Sequence, residues 1–355
     1  MTIRSSKPSG RVRSGPNGAR GWPKAVRLGA AAALALAIGL GLAACGGSSS
    51  GASGPIDLVA YSTPETVYDK SLIPAFQKTS EGEGSSFKSS FGPSGDQSRA
   101  VEAGQPADYV HLSIEPDMQA LVDAGIVDSG WNQNQFHGIV QDSVVVFVVR
   151  KGNPLGIETW DDVVKPGVEV LTPNVFSSGG AKWNLMAAYG AQINEGKSPD
   201  EALAFLKSLL EHAAAQPGSA SDALTAFTSG KGDVLLSYES DAIEAQDAGE
   251  DVDYVVPDDT ILIETPAATT TDASTQARDF LKFLWTPKAQ QLWADGGYRP
   301  VDKSVLAENE DKFPTPPGLF DIASLGGWEK VNSDFFDPEN GTVAKIEEDL
   351  GVSTG

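Results

Sequence analysis

The sequence predicts a two-lobed α/β fold in which each lobe is a doubly wound mixed sheet flanked by helices. Short apolar runs alternate with stretches of helical periodicity, which is the order of a sheet with helices on both faces. The run at 143–149 is continuous and β-branched, as a strand buried on both faces requires. The alternation restarts after residue 154, and 355 residues are enough for two cores.

In the first lobe, apolar runs predict strands at 56–61, 87–91, 107–113 and 143–149. Helical spacing between these runs predicts helices at 67–76, 96–103 and 118–124. Small-residue turns follow the first two strands, at Ser62-Thr63 and Ser94-Gly95. Because ligands bind where the carboxyl ends of strands lead into helices, both turns are candidate ligand-binding segments.

In the second half of the chain, the same patterns predict strands at 169–171, 232–238, 254–257 and 261–263. Helices are predicted at 202–212, 224–228, 277–284 and 288–295. The C-terminal segment contains Trp328, Phe335 and Phe336. We expect this segment to pack as helices against the first lobe.

The segment 171–192 combines the end of a strand, a small-residue turn and a helical pattern. The turn ends in Ser178, Gly179 and Gly180. The first N–H groups of a helix have no partner within it, and the glycines let a ligand approach them. An anion can bind there, beside the positive end of the helix dipole. The alternative is an ordinary serine-capped helix that follows a glycine-containing loop.

Residues 1–44 have the features of a signal peptide, with seven basic residues, no acidic residue and an apolar core at 28–44. The core ends in Leu42-Ala43-Ala44-Cys45, which resembles the lipobox of bacterial lipoproteins. We therefore expect a lipid on Cys45 and a flexible tether over residues 45–55. The folded part would then lie outside the cytoplasm, anchored to the outer face of the cell membrane. The alternatives are a secreted protein with a stray cysteine and an uncleaved anchor helix.

Charge and residue types argue against two classes of function. After the leader's seven basic residues are set aside, 48 acidic residues oppose 19 basic ones, which disfavours nucleic acid as a partner. His111, His137 and His212 are scattered, without a Cys, His or carboxylate neighbour at metal-ligand spacing. The sequence has no P-loop, dinucleotide fingerprint or nucleophile elbow. We therefore expect a protein that is not an enzyme and uses no cofactor or metal.

Four passages resemble the sulfate- and thiosulfate-binding proteins of bacterial ABC importers. They are GPSGDQSRAVEAGQPADYVHL at 92–112, VFVVRKGNPLGIETWDDVVKPGVEVLTPNVFSSGGAKWNLMAAYGA at 146–191, GKGDVLLSYESDAI at 230–243, and KFPTPPGLF at 312–320. The second passage is long and highly specific. The resemblance runs from about residue 56 to residue 336 and covers nearly all of the folded part.

The resemblance implies a type II periplasmic-binding fold with a hinge of crossing strands. The chain would leave the first lobe near 148–151 and return near 261–266. Residues 56–148 and 262–355 would then form lobe 1, and residues 149–261 would form lobe 2. The implied function is that of a monomeric substrate-binding lipoprotein. It would capture sulfate or thiosulfate between the lobes and deliver it to an ABC permease complex in the membrane.

The resemblance also implies that neutral hydrogen-bond donors hold the oxyanion. It assigns ligand binding to seven positions of this sequence: Ser62, Ser94, Ser178, Gly179, Gly180, Ala223 and Tyr238. Tyr238 stands where the family has tryptophan or phenylalanine. A site that offers only donors selects sulfate over a protonated phosphate, because the phosphate proton needs an acceptor.

Four residues near these positions depart from the family pattern: Glu65, Asp96, Ser221 and Asp222. Asp222 would repel a dianion if it faced the cleft, and it would compete for helix-start donors if it capped the helix near Ala223. Two alternatives to sulfate capture therefore stay open. One is the same importer role with a different oxyanion or small polar ligand, and the other is an extracellular ester hydrolase that uses Ser178 or Asp222.

Overall fold

A computed structural model describes residues 54–352, and it confirms the α/β prediction. The chain from Ala52 to Gly355 forms one compact unit. The predicted signal peptide, Cys45 and the tether up to residue 53 lie outside the described residues. Within residues 54–352, no helix is both long enough and apolar enough to cross a bilayer.

Ten strands form one mixed sheet in the described part of the chain. They are β1 (Ile56–Tyr61), β2 (Phe87–Gly92), β3 (Tyr109–His111), β4 (Ile139–Arg150), β5 (Val170–Leu171), β6 (Ala213–Ala215), β7 (Val234–Tyr238), β8 (Val252–Val255), β9 (Asp259–Thr269) and β10 (Gly318–Phe320). Their order is β2-β1-β3-β9-β4-β7-β5-β6, with β10 beside β9 and β8 beside β4. β1 pairs in parallel with β2 and β3, and β5 pairs in parallel with β6 and β7. Each half of the chain therefore contributes its own parallel group.

Helices cover the sheet and connect its strands. Those of the first half are α1 (Glu65–Val67), α2 (Ile73–Phe76), α3 (Ser94–Glu102) and α4 (Glu115–Asp123). The middle of the chain forms α5 (Trp160–Val163), α6 (Gly179–Asn194), α7 (Pro199–Glu211), α8 (Ala220–Thr228) and α9 (Glu239–Asp247). The remainder forms α10 (Thr275–Leu284), α11 (Pro287–Asp295), α12 (Lys303–Glu308), α13 (Gly327–Val331) and α14 (Thr342–Asp349).

Two long antiparallel strands, β4 and β9, join the two parallel groups. β4 pairs with β9 up to Val144, and with β7 from Val145 to Val149. β9 continues past β4 to pair with β3, which belongs to the first lobe. β4 begins earlier than the predicted strand at 143–149, because Gln141 and Asp142 pair with β9 although they interrupt the apolar run.

Each half of the sheet is packed by its own set of large apolar side chains. On the first half, the buried cluster includes Tyr68, Phe76, Phe280 and Trp293. On the second half, the buried cluster is centred on α6 and the inner strands, and it includes Phe147, Trp160, Trp183 and Leu206. The second cluster also includes Tyr61 and Ile114 from the first half, so the two halves are in apolar contact as well.

The C-terminal segment packs against α6, and through α13 it also contacts α4 in the first half of the chain, where contact was expected. The Trp328 ring meets the Trp183 ring edge-on at 4.6 Å, and Phe335 meets Tyr189 at 4.9 Å. The Lys182 ammonium also donates to the Asn332 side chain at 2.9 Å. The reason lies in α6, which buries side chains all around its axis and needs an apolar cover on its outer side as well.

Candidate binding cleft

Two helix starts that carry predicted ligand residues lack a side-chain cap. α3 begins at Ser94 and α6 begins at Gly179, directly after Ser178, and no side-chain hydrogen bond caps either start. By contrast, serine hydroxyls cap α7 and α10. The first N–H groups of α3 and α6 have no carbonyl partner in their own helix and lie at its positive end. The structure therefore does not support the alternative that Ser178 is an ordinary helix cap.

The starts of α3 and α6 meet each other. The N–H of Gly95 donates to the carbonyl oxygen of Ser177 at 3.0 Å. A β-carbon on Gly95 would lie 3.2 Å from the same oxygen, which is tighter than an ordinary contact. Ser94 and Ser178, beside this contact, are only 2 % and 4 % exposed. The two predicted turns thus meet at a buried contact, and we call the region around it the candidate cleft.

Ser113, which the sequence did not single out, lies at the centre of this cleft. Its N–H donates to the Ser94 hydroxyl at 2.9 Å, and its carbonyl accepts from the Trp183 indole at 2.9 Å. Its hydroxyl lies 2.6 Å from the hydroxyl of Tyr238. Ser113 therefore links the loop after β3 to α6 and to the end of β7. Ser113 is a small residue just after a strand, and this was the signal that could have identified it.

Gly179, Gly180 and Tyr238 form one wall of the cleft. A β-carbon on Gly179 would lie 2.6 Å from the Ser113 hydroxyl oxygen. A β-carbon on Gly180 would lie 2.9 Å from the Tyr238 ring. Both glycines are therefore required for close packing at the start of α6. Ser94 and Tyr238 are thus brought to the predicted turn that contains Ser178, Gly179 and Gly180.

The Ser94 hydroxyl is already engaged. It donates to the Asp117 carboxylate at 2.5 Å, in addition to accepting from Ser113. Burial raises the pKa of Asp117, while the nearby Lys182 charge and the Ser94 hydrogen bond oppose that rise. The donor that Ser94 can offer to a ligand is therefore its backbone N–H, at the first position of α3.

Ser62 lies at the edge of the cleft and is partly exposed. It follows Tyr61, whose ring centroid is 5.9 Å from that of Tyr238. The Tyr61 hydroxyl accepts from the Gln141 side chain at 2.7 Å, so a strand that links the lobes holds this residue in place. Ser62 is thus connected to the other predicted residues through its sequence neighbour Tyr61, whose ring lies near that of Tyr238.

Ala223 is placed differently from its predicted role as a helix-start donor. It is the fourth residue of α8, and its N–H donates to the Ser219 carbonyl at 3.0 Å. The Ser219 hydroxyl caps α8 through the Asp222 N–H and donates to the Asp222 carboxylate at 2.8 Å. The N–H of Ala223 is therefore used inside the helix.

The acidic residues that depart from the family pattern do not enter the cleft. Glu65, Asp96 and Asp222 are all exposed. Asp96 forms an ion pair with Arg99 on the outer side of α3. Solvent screens such charges strongly, so their repulsion of a buried anion is weak. The departures therefore leave the oxyanion interpretation standing.

Asp241 is a buried carboxyl group in the first turn of α9, close to Tyr238. It is 2 % exposed and accepts a hydrogen bond from the Ser237 hydroxyl. Burial raises the pKa of Asp241 to about 7, and the hydrogen bond from Ser237 opposes the rise. Near neutral pH this group therefore places less than a full negative charge beside the cleft.

We expect the substitution Asp241→Asn to remove part of the pH dependence of stability. The folded chain keeps this proton up to about pH 7, whereas an unfolded chain loses it around the ordinary pKa of 3.8. The wild-type free energy of unfolding should therefore fall as pH rises between these values, by about 4 kcal/mol from this group. Urea unfolding from about pH 4.5 to about pH 7.5 measures both chains. Parallel curves for wild type and variant would contradict the assignment.

Similarity to known proteins identifies the family of this chain. Residues 56–299 match the profile of the bacterial extracellular solute-binding proteins. The solved structure of the sulfate-binding protein SubI from Mycobacterium tuberculosis H37Rv is 46 % identical, with a TM-score of 0.77. The match covers 80 % of this chain and 99 % of that chain. The expected two-lobed type II periplasmic-binding fold is thus confirmed.

Two sequence relatives agree with this result. The sulfate-binding protein of Synechococcus elongatus is 39 % identical over 327 residues, which are 86 % of this chain and 92 % of the relative. The thiosulfate-binding protein of Pseudomonas aeruginosa is 31 % identical over 304 residues, which are 82 % of this chain and 91 % of the relative. Both are binding proteins and not enzymes, as the sequence predicted for this chain. The chain belongs to the bacterial extracellular solute-binding protein family.

Proposed function

We propose that this protein captures sulfate between its two lobes and delivers it to an ABC permease complex. The observation that carries the proposal is the meeting of the α3 and α6 starts, neither of which has a side-chain cap. We infer that the free backbone N–H groups at both helix starts face the same buried region. Many such donors stabilise a dianion without a basic side chain in contact with it.

The choice of sulfate rests on the kind of groups that face the ligand. The N–H groups of Ser94, Gly179 and Gly180 and the hydroxyl of Ser178 offer protons to an oxyanion. Sulfate and thiosulfate carry no proton at neutral pH and accept all of these bonds. Hydrogen phosphate brings a proton that needs an acceptor, so donor-only contacts disfavour it. The relatives named above include both sulfate- and thiosulfate-binding proteins, and sulfate is the ligand that we commit to.

The anchoring and organisation of the chain are part of the same proposal. Cys45 carries the lipid that holds the protein at the outer face of the membrane, and residues 46–55 form the tether. Residues 149–261 form the second lobe, and residues 56–148 and 262–355 form the first. A single chain contains every proposed ligand contact, which supports a monomer as the working unit.

The substitution Ser178→Ala tests the position of the anion. The Ser178 hydroxyl is buried and does not cap its helix, so it is available to a ligand. Loss of one hydrogen bond to a charged ligand should weaken sulfate binding by about 1.5–3 kcal/mol, or about 10- to 150-fold. Isothermal titration measures this change.

The matched control for Ser178→Ala is Ser198→Ala. Ser198 caps α7 through the Glu201 N–H and lies outside the cleft. This control should lower stability by about 1 kcal/mol and leave the affinity for sulfate unchanged. Equal affinities of Ser178→Ala and wild type would show that the anion does not contact Ser178.

A further inference from the structure

Ser113 joins the two lobes through three separate groups. Its N–H reaches Ser94 in the first lobe, whereas its carbonyl and hydroxyl reach Trp183 and Tyr238 in the second. Ser113 is 1 % exposed and Tyr238 is equally buried. A hydrogen-bonded pair of hydroxyls therefore spans the closed cleft beside the start of α6.

The chemistry of this pair depends on which hydroxyl donates. Burial raises the pKa of Tyr238, so the phenol stays neutral and has one proton to give. A bound sulfate accepts hydrogen bonds and donates none. If the Tyr238 proton points at sulfate, the phenol oxygen is free to accept the Ser113 proton. Both protons are then used, and each bond strengthens the other.

The position of the phenol fits this direction. The Tyr238 hydroxyl oxygen lies 3.1 Å from the place of a β-carbon on Gly180. It is thus beside the first turn of α6, where the N–H groups proposed to bind the anion are found. Tyr238 has no ring N–H, unlike tryptophan, so its donor atom is the hydroxyl at the end of the ring.

We propose that Ser113 is a positioning residue for the anion site, whose hydroxyl donates to Tyr238 and so directs the Tyr238 proton toward the bound oxyanion. This inference rests on the proposed function and adds to it a residue that does not itself touch the ligand. Because Ser113 and Tyr238 belong to different lobes, the phenol is oriented only when the lobes close. Ser113 thereby couples ligand recognition to closure.

A double-mutant cycle of Ser113→Ala and Tyr238→Phe tests the proposal. Sulfate dissociation constants are measured by titration of the compact unit Ala52–Gly355. Tyr238→Phe should raise the dissociation constant about 10- to 100-fold, as expected for a lost bond to a charged ligand. Ser113→Ala should raise it about 3- to 10-fold in the wild-type background. In the Tyr238→Phe background, Ser113→Ala should change it by less than about twofold.

The cycle separates positioning from packing. A serine that only fills space would weaken binding by the same factor whether residue 238 is tyrosine or phenylalanine. Additive effects of the two substitutions, or an unchanged affinity of Ser113→Ala, would overturn the inference. Ser85→Ala is the control, since Ser85 is a buried serine in the loop before β2 and should leave the affinity unchanged.

The same titrations distinguish failure of this inference from failure of the proposed function. A wild-type chain that binds sulfate while the two substitutions add independently overturns the role of Ser113 alone. A wild-type chain with no affinity for sulfate overturns both sulfate capture and the role of Ser113 in it.

Discussion

Replacing Gly179 with alanine is expected to weaken sulfate binding by up to about 100-fold while the chain stays folded. The new β-carbon would lie 2.6 Å from the Ser113 hydroxyl oxygen and 2.8 Å from its β-carbon. Overpacking of this kind costs about 1–3 kcal/mol, and the upper end corresponds to about two orders of magnitude in affinity. In the proposed division of the chain, Gly179 and Ser113 belong to different lobes, so opening the cleft can relieve the clash without unfolding.

Two measurements show whether Gly179→Ala loses affinity and whether its lobes still close. Isothermal titration gives the affinity of Gly179→Ala for sulfate, and small-angle scattering with sulfate present shows whether the lobes close. The matched control is Gly218→Ala, because a β-carbon there would lie 3.8 Å from the Asp222 carboxylate, which is an ordinary contact. The control should bind as wild type does. An affinity of Gly179→Ala within about threefold of wild type would mean that closure does not depend on this contact.

Replacing Glu239 with glutamine is expected to lower the free energy of unfolding by about 3–5 kcal/mol. Glu239 and Arg299 form a buried pair, with Nε–Oε2 and Nη2–Oε1 distances of 2.7 Å and 3.0 Å. Their side chains are 1 % and 5 % exposed. The substitution would leave the guanidinium buried without its counter-charge, and that uncompensated charge causes the large loss. The pair also joins α9 to the segment after α11, so it holds elements that are far apart in sequence.

Urea unfolding of wild type and Glu239→Gln measures this difference. The control is Asp279→Asn, which removes a surface pair with Lys282, whose side chain is 73 % exposed. That control should cost about 0–1 kcal/mol, because solvent screens exposed pairs. A loss below about 1 kcal/mol for Glu239→Gln would show that Arg299 finds other partners, such as the Pro314 carbonyl at 3.1 Å.

Periodicity in the sequence predicted the parts of the fold that are continuously buried. The run from Val145 to Val149 is buried throughout and pairs with β7 as a strand. The start of β4 was missed because Gln141 and Asp142 are polar. Gln141 reaches Tyr61 through its side chain, and Asp142 exchanges backbone hydrogen bonds with Arg299. Such partners lie far away in sequence, and no local pattern reveals them.

The candidate site was predictable to the extent that it depends on local turns. Small residues before helical patterns identified Ser94 and the turn at 178–180, and the structure brings these together. Ser113 was missed because its role depends on contacts with both lobes, and only the tertiary fold creates those contacts. The donor at Ala223 was assigned from family resemblance alone. Because Ser219 is the N-cap of α8, the N–H of Ala223 bonds to the Ser219 carbonyl within that helix.

The packing of the C-terminal segment shows the same limit. Its aromatic residues predicted that it would cover an apolar surface, and this was correct. The predicted contact with the first half is made at α4, but the contacts with Trp183 and Tyr189 on α6 were not predicted. Helical periodicity does not indicate which side of a uniformly buried helix needs an additional cover.

Isothermal titration of the unit Ala52–Gly355 with sulfate tests the proposed sulfate capture directly. The protein would be purified without sulfate and measured at about neutral pH and moderate salt. We predict binding of one sulfate with a dissociation constant of about 1 μM or lower, and no measurable heat with phosphate. The absence of heat with sulfate, together with an unchanged melting temperature, would contradict sulfate capture.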